Sequence, residues 1–154
     1  MQRKKRQRKP VLNPILIMST LNKNEVTRIL LHYYTSLNNL TRGAGTEHDI
    51  YILLRVCEIL FIALGSGIFT DAEESRAALA ETAIGLRRAA TRAESGEAAG
   101  LDGATYQAVK DALVEVERLL SNTSVGVIKR WLDAQDKSIR TGVFQCLNYS
   151  QSAA

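Results

Sequence analysis

The chain has 154 residues, of which 45% are hydrophobic and 23% are charged. A chain of this length and composition can bury a core without disulfides or a metal, and it is not typical of disordered, fibrous or disulfide-rich proteins. The formal net charge is +4, but residues 1–10 contribute six positive charges, so residues 11–154 carry a net charge of −2 and do not predict a basic binding face.

Residues 1–21 combine a run of basic side chains with two prolines and no helical periodicity, which predicts a flexible basic arm. We expect only its end, from Ile15 to Leu21, to lie against the folded domain. The apolar stretch after the charges is interrupted by Asn13 and Pro14 and lacks a small-residue cleavage site, so it is not typical of a secretory signal. The sequence leaves open whether translation starts at Met1 or at Met18, and a start at Met18 would remove the basic residues.

Apolar residues recur at helical spacing along most of the remaining chain, and abundant Ala and Leu favour helices. We predict five helices, over about residues 23–41, 47–64, 71–95, 103–120 and 125–140. The second predicted helix is apolar on all sides, which indicates a central helix with neighbours all round. The third has a stripe made mostly of alanines, which allows another helix to approach closely but buries little area.

Residues at the ends of these segments are typical of helix caps. Thr46 and Thr70 are suited to begin the second and third helices, because each is followed three positions later by an acidic residue. Asp102 is suited to cap the fourth helix. Gly43 is suited to end the first one, because glycine adopts the left-handed backbone conformation without a steric penalty.

Loops of about four to eight residues between the helices imply antiparallel neighbours. The fold class that we predict is therefore all-α, an up-and-down bundle of four to five helices with a disordered basic N-terminal arm. Residues 1–21 would form the arm and residues 22–141 the helical bundle domain. Residues 142–154 lose the helical periodicity, and we predict that they form a C-terminal tail.

The sequence lacks the residue patterns of common enzymes. No nucleophile, phosphate-binding or metalloprotease motif occurs, and neither His32 nor His48 has a second metal ligand at helical spacing. We therefore predict a protein that is not an enzyme and has no cofactor and no metal site. Glu58 is a carboxylate within an apolar stripe, and with Arg55 it is expected to form a partly buried ion pair or to face a partner.

Two observations bear on the cellular compartment. Cys57 and Cys146 form neither a disulfide framework nor a metal-binding pair, which fits a reducing cytoplasm. The longest apolar stretch, residues 50–64, contains Arg55 and Glu58 and is too short to cross a bilayer. We expect a cytoplasmic protein without a membrane partner.

Two groups of residues are candidates for binding. The first comprises the basic residues of the arm, Arg3, Lys4, Lys5, Arg6, Arg8 and Lys9. These side chains could neutralise the phosphates of a nucleic acid or bind a protein, and the alternative is a solvated tail.

The second group, Lys129, Arg130 and Trp131, lies in the fifth predicted helix and is a candidate for partner binding. The segment is only weakly similar to half of a helix-turn-helix, because Asp133 and Asp136 would oppose insertion into a DNA groove. Trp131 alternatively anchors this helix to the bundle.

The order of these segments resembles a known group of proteins. A start rich in Arg, Lys and Pro is followed by TRGAGTEHDIYILLRVCEILFIALGSGI, an Ala-rich helix and LDGATYQAVKDALVEVERLL. This pattern is similar to small uncharacterised helical proteins of proteobacterial bacteriophages and prophages, and it covers residues 1–120. The resemblance implies a phage protein in a bacterial host cell, with a role in host takeover, gene regulation or evasion of bacterial immunity.

We therefore expect a non-catalytic, phage-encoded binding protein that inhibits or redirects a host protein, for instance a defence component, through a helix face. One alternative is a nucleic-acid-associated regulator that uses the basic arm. Another is a homo-oligomeric assembly protein, because the second predicted helix has more apolar faces than a small bundle usually covers.

Overall fold

The computed structural model of the chain describes residues 18–69 and 72–152, with side chains up to residue 149. Six α-helices make up most of this part, and we number them α1 (Lys23–Thr41), α2 (Glu47–Leu64), α3 (Ala72–Glu94), α4 (Gly103–Asn122), α5 (Val125–Arg140) and α6 (Gln145–Ser152). No strand occurs among the described residues apart from two isolated bridges. The predicted all-α class is confirmed.

Two backbone bridges define the relative direction of α1 and α4. Thr20, just before α1, pairs with Ser124, just after α4. Gly45, just after α1, pairs with Ala99, just before α4. The two helices are therefore antiparallel. Because Gly45 lies as far beyond Thr20 as Ala99 lies before Ser124, the two helices run side by side in a constant register.

The second helix is central to the fold, as its apolar sequence predicts. α2 packs against α1, α3, α4, α5 and α6, and α1 and α3 each also pack against α4. Helices α1 to α4 thus form the up-and-down bundle, while α5 and α6 lie against its outside. Within residues 18–69 and 72–152, none of the helices combines the length and the apolar character that crossing a lipid bilayer requires.

The predicted helix ends agree with the structure to within two residues, because local capping decides them. The Thr46 N–H donates to the Asp49 carboxylate at 2.9 Å at the start of α2, and the Thr105 N–H donates to Asp102 at 2.7 Å at the start of α4. Gly43 has a φ of 72°, as expected after α1. Thr70 lies outside the described residues.

The C-terminal segment is not the tail that the sequence predicts. Residues Gln145–Ser152 form α6, which packs against α2 and α3. The helix begins at the fully buried Glu58 of α2, whose two carboxylate oxygens accept the N–H groups of Gln145 at 2.9 Å and Cys146 at 3.0 Å. An isolated helix of this length is not stable in water. It forms here because a distant side chain caps it and because its Cys146 side chain is buried.

Candidate binding surfaces

The basic arm residues proposed for nucleic-acid or partner binding lie outside the described part of the chain. This applies to all six of them, Arg3, Lys4, Lys5, Arg6, Arg8 and Lys9. The end of the arm is described from Met18 onward. There the Val125 N–H donates to the Ser19 carbonyl at 2.8 Å, and Leu21 packs against the core.

The second predicted group does not form one exposed surface. Lys129 and Arg130 are exposed on α5, and the Lys129 Nζ atom lies 2.9 Å from the Asp133 carboxylate. Trp131 is only 6% exposed, and its ring lies 6.4 Å from the ring of Phe69. The structure therefore corrects the grouping of Trp131 with the two cations, because the indole anchors α5 to the bundle instead of pointing to solvent.

The expected ion pair between Arg55 and Glu58 is not found in the described part of the chain. The Arg55 guanidinium lies 3.4 Å from the Gln135 side-chain oxygen and 3.7 Å from the Asp136 carboxylate. The Gln135 amide in turn donates to the Arg55 carbonyl. Arg55 thus connects α2 to α5, while Glu58 caps α6.

The two cysteines lie in the core, where they are protected from chemical attack. Burial, together with the neighbouring Glu58 carboxylate, raises the pKa of Cys57 to about 12. Burial and the same carboxylate also raise the pKa of Cys146. Thiols held in the protonated form are poor nucleophiles and poor metal ligands. Among the described residues, no group of three or more His, Cys, Asp or Glu side chains is arranged to hold a metal ion.

An apolar cavity of about 180 Å³ lies between α5 and the bundle. Its walls come from α1, α2, α4 and α5 and consist of Ile29, Tyr33, Ile59, Leu60, Ala63, Val116, Leu119, Leu120, Ile128, Trp131 and Leu132. One of these residues, Leu132, is 40% exposed. Burial, partly offset by the charge of Arg55, raises the pKa of the Tyr33 phenol. Tyr33 is the one titratable residue among the described residues that line the cavity. The cavity is therefore suited to hold apolar groups and offers no acid–base pair.

A second feature is a pair of exposed apolar side chains at the same level of two neighbouring helices. Leu31 of α1 is 65% exposed and Val114 of α4 is 60% exposed. The register between the two bridges places Leu31 level with Leu113. Val114 is the next residue along α4. Tyr34, one turn further along α1, is 38% exposed.

The side chains of Leu31, Tyr34 and Val114 lie outside the buried stripes of their helices. Ser36 of α1 hydrogen-bonds Asp49 at the start of α2, so that flank faces α2. Tyr34 is two residues away, which turns it by about 200° away from α2. Ala112 of α4 faces the groove beside α3, and Val114 is likewise turned by about 200° from it. We call the surface formed by Leu31, Tyr34 and Val114 the α1–α4 face.

The α1–α4 face has a polar surround. Four exposed residues lie one turn away from its apolar members along the two helices, namely Thr27, Asn38, Lys110 and Glu117. An apolar centre with a polar rim is the arrangement found in protein–protein interfaces. Neither Leu31 nor Val114 is among the binding residues predicted from the sequence. The signal that could have found them is an apolar residue that falls outside the buried stripe of its helix.

Comparison of the chain with protein-family models, with curated proteins and with solved structures found no match.

Proposed function

We propose that the protein is a non-catalytic binding protein that uses the α1–α4 face to bind an apolar helix surface of another protein. The observation that carries the proposal is the exposure of Leu31 and Val114 at the same level of two antiparallel helices. Single exposed apolar residues are common on soluble proteins, but grouped ones mark interaction sites. In the phage setting that the sequence resemblance implies, the partner is a host protein, such as a defence component, which binding inhibits or redirects.

The dimensions of the face suit such a partner. Two helices of about 20 residues that lie side by side present a surface roughly 30 Å long and 20 Å wide, or about 600 Å². This is close to the 800 Å² that each partner contributes to a standard interface. Covering an apolar side chain of this size completely gains roughly 1.5–3 kcal/mol, so Leu31 and Val114 would dominate the binding energy.

Substitution of the exposed pair tests the proposal. We expect Leu31→Asp combined with Val114→Asp to weaken partner binding by at least about tenfold, because the partner's apolar surface would have to desolvate two carboxylates. Capture from bacterial host lysate identifies a stoichiometric protein, and titration calorimetry with the purified partner gives the affinity of each variant. Ile68→Asp is the matched control, since Ile68 is 58% exposed in the loop between α2 and α3.

The control variant must retain the partner that the native chain captures. Loss of binding by the control as well would mean that added charge, and not the α1–α4 face, is responsible. Equal binding by the native chain and the double variant would exclude the face as the binding site.

A second candidate function is nucleic-acid binding through the basic arm. The structural observation in its favour is that Arg87 and Arg88 are also exposed on α3, without an ion pair to any residue in the described ranges. The six arm cations would give a salt slope as steep as about −5. Recovery of nucleic acid without a stoichiometric protein in the same capture experiment would favour this candidate over protein binding.

The many apolar faces of α2, which favoured a homo-oligomer in the sequence, are partly covered within the chain. Helices α5 and α6 both pack against α2.

A further inference from the structure

The apolar cavity between α5 and the bundle is held open by the way in which α5 is attached. The backbone of α5 packs against α2, but it makes at most marginal contact with α1 and α4, which form the other walls. At the start of α5 the Val125 N–H donates to the Ser19 carbonyl at 2.8 Å. Near its end the buried Gln135 amide donates to the Arg55 carbonyl. Because the cavity lies between these two contacts, an inward movement of α5 that closed it would strain both of them.

The side chains in the walls determine which molecules the cavity can hold. Nine of the eleven lining residues are aliphatic, and the other two are Tyr33 and Trp131. A buried water molecule typically makes about three hydrogen bonds, which is more than one phenol and one indole offer it. A charged ligand would lose its hydration without gaining a charged partner. The walls therefore select neutral, apolar molecules.

The volume of the cavity defines the size of such a molecule. An engineered apolar cavity of about 150 Å³ in another protein binds benzene, and the volume here is about 180 Å³. The cavity thus admits a six-membered ring with one small substituent. It is partly open to solvent, which gives the molecule a way in. Native interiors contain few voids larger than a water molecule, so an apolar space of this size is a candidate binding site.

We propose that this cavity binds a small, neutral, apolar molecule of about the size of toluene, which packs between Trp131 of α5 and Leu60 and Leu119 of the bundle. The ligand fills the gap that separates α5 from α1 and α4, and its binding stabilises the folded chain. The site shares no residue with the α1–α4 face, and the inference does not depend on the function proposed for that face.

Toluene is the probe for this site, and the chain supplies its own reporter. Trp131 is the one tryptophan in the sequence, and it lies in the cavity wall. We expect toluene to raise the midpoint of thermal unfolding and to change the fluorescence of Trp131 with a single saturable affinity. Benzoate, which has a similar size but carries a charge, should do neither at the same concentration. The absence of a response to toluene, or an equal response to benzoate, would overturn the proposal.

A substitution that fills the cavity tests where toluene binds. Ala63 of α2 lines the cavity and is 1% exposed, so the longer side chain of Ala63→Leu occupies the space of the ligand. We expect this variant to bind toluene at least about tenfold more weakly than the native chain. Ala77→Leu, at an exposed position of α3, is the matched control and should keep the native affinity. Equal affinities of the two variants would place toluene outside the cavity and refute the proposal.

A second variant enlarges the cavity and distinguishes a filled site from a misfolded chain. Leu119→Ala removes most of one wall side chain, which leaves additional space. We expect this variant to bind naphthalene at least about tenfold more tightly than the native chain does. A misfolded chain would not gain this affinity. If naphthalene binds no better to Leu119→Ala than to the native chain, the cavity is not the binding site.

Discussion

Glu58 is a fully buried carboxylate whose partners lie more than 80 residues away along the chain. A buried charge is costly unless it is hydrogen-bonded. Here its two oxygens accept the first N–H groups of α6, which have no partner within their own helix, and its negative charge lies at the positive end of the helix dipole. One side chain thereby connects the central helix to the last one.

Replacing this carboxylate should release α6. We expect Glu58→Ala to lower the free energy of unfolding by roughly 2–4 kcal/mol, because the first two N–H groups of α6 lose their acceptor and a cavity remains. Urea denaturation measures this change, and the rate of labelling of Cys146 by a thiol reagent shows whether α6 has left its site. Glu117→Ala, at an exposed position, is the control and should stay within about 0.5 kcal/mol of the native chain. An equally small effect of Glu58→Ala would contradict the capping role.

At the scale of helices, α3 and α4 approach each other unusually closely at one point. Gly85 of α3 faces the buried Thr105 of α4, and a Cβ atom added at Gly85 would overlap the Thr105 hydroxyl. Gly85 lies in the middle of a helix, whereas Gly43, the glycine that the sequence predicts to have a structural role, lies at a helix end. The stripe of α3 predicted close approach. Of its members, Leu79, Ala83 and Leu86 are buried, whereas Ala72, Ala90 and Ala93 are partly buried.

This contact predicts that the better helix former is the worse residue at position 85. Gly85→Ala should destabilise the protein by about 1–3 kcal/mol through overpacking, although alanine favours isolated helices by about 1 kcal/mol over glycine. Thermal unfolding of the two chains gives the difference. Gly103→Ala, where nothing lies within 4 Å of an added Cβ, should be neutral or stabilising. If both substitutions stabilise, α3 and α4 are not in close contact at Gly85.

The helices differ in how well the sequence predicts them. Helices α1 to α5 each combine an apolar stripe at helical spacing with local start or stop signals, and these are properties of neighbouring residues. α6, with the sequence QCLNYSQS, has no such stripe. Its cap comes from Glu58, and Tyr149 of α6 packs edge-on against Phe61 of α2 with ring centres 5.3 Å apart. No local pattern records those contacts.

At the scale of the whole molecule, the two buried thiols couple stability to alkaline pH. Burial and the Glu58 charge raise the pKa of Cys57 to about 12, and burial raises that of Cys146 as well. In the unfolded chain both thiols would ionise near pH 8.5. The native state therefore binds more protons than the unfolded state above this pH, and its stability must fall as the pH rises.

Urea denaturation under reducing conditions at pH 7.5 and pH 9.5 measures this coupling. We expect each thiol to lower the free energy of unfolding by about 1.4 kcal/mol over this range. A chain with Cys57→Ala and Cys146→Ala serves as the control and should lose less stability between the two pH values, whatever its stability at pH 7.5. Parallel losses in the two chains would show that the thiols do not ionise on unfolding.

The amino-acid sequence by itself determined the all-α class, five helices and the central position of α2, because helical periodicity, caps and the distribution of apolar residues act over a few neighbouring positions. Only the tertiary structure decided the burial of Trp131, the formation of α6 and the alignment of Leu31 with Val114. Each of these depends on which residues of distant segments come into contact when the helices pack. The α1–α4 face and the cavity beside α5 are products of that packing.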